Sequence, residues 1–159
     1  MKTIIISPYT TTDESIRVAN LTGSHLKRHG LDAVVDKRQG TMILKTIEEH
    51  KADLSVLLNI GKFDGGGIGL YSNGKGHDIA ESIKNRISEI QAPHETKQPA
   101  LHVLQYSPCA AVMLNDHRMD VNVQTMATML AKGILSYYGI EWRRTVKKGE
   151  KNENIHQSK

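Results

Sequence analysis

The chain has one cysteine, one phenylalanine, one tryptophan and four prolines in 159 residues, and each shortage removes a class of explanation. A lone Cys109 cannot build a disulfide framework and suits a reducing compartment. With no flanking base, it reads as a small buried hydrophobe rather than a reactive thiol. So few aromatic rings argue against a platform for stacking nucleic-acid bases. No apolar run reaches the roughly eighteen residues that span a bilayer. The opening MKTIIISPYT has one lysine and three isoleucines before a proline, which reads as a first strand rather than a signal peptide. These absences lead to an expected cytoplasmic location and no membrane partner.

Acidic excess is missing too, and the net charge of +4 is unevenly spread. Residues 143–159 carry six of the 21 basic groups and two of the 17 acidic ones, leaving fifteen of each sign in the first 142. The basic character therefore belongs to a tail. The expected organisation is one α/β domain over 1–142 and a basic polar extension over 143–159. Such a tail is a route to an acidic partner, an anionic cell-wall polymer or nucleic acid, through an attraction that salt weakens. If it is ordered, a contact between subunits of a homo-oligomer is the simplest cause.

What is present alternates between strand and helix signals. TIIIS (3–7) is a β-branched strand stopped by Pro8. Thr11-x-x-Glu14 has the form of a capping box for a helix that Gly30 ends. LDAVVD (31–36) reads as a strand and Met42–His50 as a helix. ADLSVLLN (52–59) is too continuously apolar to alternate, so it belongs in the centre of a sheet covered on both faces. Gly67–Tyr71 is the next strand, and a helix capped at Asp78 carries Ile79, Ile83, Ile87 and Ile90 on one stripe. LHVLQY (101–106) and CAAVML (109–114) read as two more strands, and Asp120–Tyr138 as the last helix. The expected fold class is α/β: a single twisted, mostly parallel six-stranded sheet with helices on both faces.

In such sheets ligands bind where strand ends meet loops. Those places are Pro8–Thr12, Asn59–Gly67 and Asn115–Arg118. Gly61-Lys-Phe-Asp-Gly-Gly-Gly67 has two readings, a backbone cradle for an anion helped by Lys62 or a flexible connection between strands. His25 and His29 stand four apart in the last turn of the first helix, where solvated histidines suit the helix dipole. His117 faces the expected cleft.

Ala52-Asp-Leu54 opening the central strand, Gly69-Leu-Tyr-Ser-Asn73 before a helix, and Leu101-His-Val-Leu followed by Ala111-Val-Met-Leu and a long helix form a recognisable order. Over residues 1 to about 140 the chain resembles the zinc-dependent N-acetylmuramoyl-L-alanine amidases of cell-wall hydrolases and phage endolysins. That resemblance implies an amidase-like fold, a zinc held by two histidines and a glutamate, and a catalytic glutamate. Through its landmarks the histidines fall at Tyr9 or Thr10 and at Asn59. The zinc-binding glutamate falls at Thr11, with Glu14 one turn on, and the catalytic glutamate at Asn115. Tyr, Thr and Asn are neutral at pH 7 and suit neither zinc nor proton shuttling.

The expectation is thus a degenerate member, not an enzyme, with no metal, no cofactor and no catalytic residue. It would bind a small polar ligand through Tyr9, Thr10, Thr11, Glu14, Asn59, Lys62, Asp64, Gly65, Gly66, Gly67, Asn115, Asp116 and His117. Family inheritance names a muropeptide or peptidoglycan fragment. The alternatives are a phage or bacterial protein that sequesters a phosphorylated or nucleotide-derived signalling molecule in immune evasion, and a residual amidase.

Overall fold

A computed structural model describes residues 1–62, 66–94 and 101–144. Five strands form one mixed sheet in the order β2-β1-β3-β5-β4. They are β1 (Thr3–Pro8), β2 (Asp32–Val35), β3 (Leu54–Ile60), β4 (Ile68–Ser72) and β5 (Ala110–Asp116). β3 is central, parallel to β1 on one side and to β5 on the other, and β4 lies antiparallel against β5.

Burial explains the central place of β3. Leu54, Val56, Leu57, Leu58 and Ile60 are fully buried, so both faces of the strand are covered. One face packs with α1 (Asp13–Arg28), α3 (His77–Ile87) and α5 (Val123–Tyr137). The other, smaller core gathers Ile5, Leu57, Ala111 and Met113 under α2 (Met42–His50) and α4 (His102–Tyr106). Helices on both faces match the sequence expectation. Gly133 sets the closeness of α5 to α3: a Cβ there would stand 2.6 Å from the Ile83 Cα.

The expected six-stranded, mostly parallel sheet is corrected to this five-stranded mixed one. Residues 101–106 are not a strand but the short helix α4. Its buried residues, Val103 and Leu104, are adjacent, whereas a strand edge would bury alternate positions. Among the described strands β4 pairs only with β5, and the seven residues between β3 and β4 are too few for the crossover that a parallel strand would need. Two caps also shift. The side chain of Thr12, not Thr11, accepts from the N–H of Ser15 at the start of α1. At the other helix Asn73 caps the 3₁₀ turn Gly74–Gly76 that runs into α3, and Asp78 lies inside the helix. No described helix is long and apolar enough to cross a membrane.

Candidate functional site

The ends of β1, β3 and β5 lie side by side. Tyr9 N–H donates to the Leu58 carbonyl at 2.8 Å, and Asn59 stands opposite Asn115 in the β3–β5 register. Successive strand residues alternate between faces, so Asn59 and Asn115 share the face of Leu57 and Met113. Tyr9 packs against that same cluster. Tyr9, Asn59 and Asn115 thus form a polar group at the strand ends on the α2–α4 side. The Asn115 Oδ1 is buried with no hydrogen-bond partner among the described residues.

Other expected site residues serve elsewhere. The Ser15 hydroxyl accepts from Ile60 N–H at 2.8 Å, donates to the Ile60 carbonyl at 3.1 Å, and lies 2.8 Å from Thr10 Oγ1. Thr12 Oγ1 also donates to the Ile60 carbonyl. This hydroxyl cluster bolts the start of α1 to the end of β3, and it occupies Thr10. Thr11 is exposed beside it. Glu14 and Lys62 line a separate cavity of about 270 Å³ with Arg17 and the start of α5. Asp116 is fully buried and holds Arg118 through two 2.8 Å bonds, Nε to Oδ1 and Nη2 to Oδ2. That bidentate pair, with burial opposing it, raises the guanidinium pKa further.

The glycine run also finds its partner inside the chain. A Cβ at Gly66 would sit 2.2 Å from the His117 carbonyl oxygen, and the His117 N–H donates to the Gly67 carbonyl at 2.9 Å. Gly66 is required by this close approach of two backbones, and His117 is anchored by it. Asp64 and Gly65 lie outside the described residues.

Sequence reasoning missed Ser7 and Ser55. Both are fully buried, and their hydroxyls have no partner among the described residues. By alternation they share the face of Tyr9 and Asn59. The only available signal was a small hydroxyl residue inside an otherwise apolar strand. Sequence reasoning also misjudged His29, which is buried rather than solvated. Its Nε2 accepts from Arg143 N–H at 2.9 Å, so the ring proton sits on Nδ1 and is donated to the His25 carbonyl at 2.7 Å. His102 rides on α4, its ring centroid 4.5 Å from that of Tyr106. Cys109 is half-buried, and burial pushes its thiol pKa up, away from the reactive thiolate.

The zinc that the resemblance implies does not fit these side chains. A phenol and two carboxamides are neutral, whereas catalytic zinc takes about three ligands from His, Cys and carboxylates. Among the described residues no group of three or more His, Cys, Asp or Glu stands close enough to hold a metal ion. The orphaned Asn115 Oδ1 is instead suited to accept an N–H from a ligand.

No protein-family model matches the chain, and no curated protein does. Solved structures do. The chain is similar to the N-acetylmuramoyl-L-alanine amidase AmiC2 of Nostoc punctiforme, with 18% identity and a TM-score of 0.76, over 87% of this chain and 97% of that one. An N-acetylmuramoyl-L-alanine amidase from Clostridium difficile 630 gives 16% and 0.72 over 87% and 97%. The catalytic domain of the CD27L endolysin gives 15% and 0.70 over 86% and 98%. These likenesses overturn the expectation of a non-enzyme: the fold is shared with solved amidases, and changed side chains at four positions are no demonstration of inactivity. The chain has the amidase fold.

Proposed function

We propose that the chain recognises peptidoglycan fragments at the junction of sugar and peptide, using the strand-end group Tyr9, Asn59 and Asn115. The observation that carries this reading is the buried, unpartnered Asn115 Oδ1 beside Asn59. Leaving a buried acceptor unpaired costs about 1–3 kcal/mol, and a ligand amide N–H at that point relieves it. A muropeptide offers such an N–H where its peptide joins the lactyl group. The amidase fold supports the same ligand class. Carboxamides and a phenol at Asn59, Asn115 and Tyr9, where the resemblance implies zinc ligands and a catalytic glutamate, favour hydrogen bonding to a neutral junction over charge recognition. The reading of a phosphorylated ligand loses its main support, because Gly66 approaches His117 of its own chain.

The test uses muramyl dipeptide in calorimetry and mass spectrometry of the same mixtures, with and without added zinc. Saturable binding is expected, weakened at least about tenfold in Asn115→Leu, where an amide partner is removed. Released peptide in the spectra reports hydrolysis directly. No heat, no released peptide and no retention on peptidoglycan stripped of other polymers would together refute the reading.

A further inference from the structure

A second surface lies at the far end of α1, remote from the strand-end group in sequence. Trp142 is engaged from several sides there: His29 stacks on it with ring centroids 5.0 Å apart, and His25 meets it edge-on at 5.0 Å. The Arg28 guanidinium carbon stands 5.0 Å from the ring centroid, and Lys132 Nζ 5.5 Å. Arg28 Nη1 donates to the Arg143 carbonyl, which adds a further cation to the group. Among the described residues, none of Arg28, Lys132 and Arg143 pairs with a carboxylate.

Local forces account for only part of this crowding. The dipole of α1 and the face of Trp142 each attract a cation. Neither brings a counter-charge to the two cations on the ring or to the neighbouring Arg143. The Leu26 and Lys27 carbonyls at the end of α1 are already taken, by His29 N–H and Gly30 N–H. Arg28 Nη2 is buried without a hydrogen-bond partner among the described residues. Burial and then the neighbouring Arg143 lower the Arg28 pKa, as expected where a counter-charge is missing.

From this geometry we infer that Arg28, Lys132 and Arg143 form a docking surface for a linear polyol-phosphate polymer, their cationic heads pairing with successive phosphates. A polymer fits better than one small anion because the positive charge continues along the chain, with six basic against two acidic residues in 143–159. Nucleic acid fits less well. The chain's one tryptophan is already engaged by two imidazoles and two cations, so it offers no ring for stacking bases. Choosing the polyol-phosphate of a cell wall rests on the peptidoglycan reading above.

The full-length chain is titrated with poly(glycerol phosphate) across a salt series, beside single-stranded DNA of equal charge. Binding that weakens steeply with salt is expected, and weaker binding to DNA. Arg28→Gln should lower affinity about tenfold and reduce the salt slope by about one, as removal of a single cation–phosphate pair does. Lys132→Gln, which leaves the Arg28–Arg143 bond intact, should act in the same direction and serves if Arg28→Gln fails to fold. The inference is overturned if wild type does not bind at low salt, if both variants bind as wild type does, or if DNA binds as tightly. Peptidoglycan stripped of this polymer separates the two readings. Failure to bind the stripped material with polymer binding retained sinks the muropeptide site alone.

Discussion

Replacing Ser15 by alanine tests the joint between α1 and the strand end that carries Asn59. Ser15 is fully buried, and its hydroxyl is the acceptor for Ile60 N–H at 2.8 Å, itself in a fully buried residue. Alanine leaves that N–H unpaired, at a cost of about 1–3 kcal/mol. The better helix propensity of alanine returns about 0.5 kcal/mol. The net loss is about 1–2 kcal/mol, or roughly 5 °C in melting temperature for a domain of this size. In urea denaturation the midpoint should fall by about 0.5–1 M while the slope stays the same, since the surface exposed on unfolding does not change. Thr11→Ala is the matched control: Thr11 is exposed and is not the cap, so its midpoint should not move. A Ser15→Ala midpoint equal to the parent's would show that the hydroxyl cluster bears no stability, and the account of α1 anchoring β3 would be wrong.

Three more outcomes follow from the packing and pairing described above. Gly133→Ala should destabilise by roughly 1 kcal/mol or more in thermal melts, despite alanine's helix preference, because its Cβ meets the backbone of α3 at 2.6 Å. Asp116→Asn leaves the largely buried Arg118 without its counter-charge and should cost about 3–5 kcal/mol, whereas Asp13→Asn at the exposed pair with Arg17 should cost little. Burial, then Arg28 and His29, lower the His25 pKa from 6.5. The unfolded chain therefore binds more protons near that pH, so stability is full above it and falls as pH drops through it. A melting series from pH 8 to about 5 should show that slope, reduced in His25→Gln.

Much of the fold was legible because apolar spacing carries it. The helix at Met42–His50 has the expected bounds, and Asn59, the last residue expected in the third strand, lies in β3. The misread segment, 101–106, lies in the eight residues between Pro99 and Pro108, too few for helical and strand periods to separate. The strand-end residues were readable as positions but not as partners. Nothing in Thr10 or Asp116 announces that one is bound to Ser15 and the other to Arg118, because those bonds depend on packing. The glycine run likewise signals close approach without saying to what. His29 and Trp142 lie 113 positions apart, so their stacking has no local signature at all.

The antiparallel strand has a consequence for how the chain reaches this state. β4 leaves β3 after only seven residues, yet its ladder partner is β5, whose first residue comes 38 positions after the last of β4. During synthesis β4 emerges with no strand to join, and β3 waits longer still, 50 positions from Ile60 to Ala110, for its own second neighbour. Closing such long loops costs chain entropy before the β3–β5 and β4–β5 ladders can offset it. Arrival of β5 then completes three strands at once. Synthesis order therefore makes β5 the closing step of assembly, and chains halted before Ala110 should remain without a finished sheet.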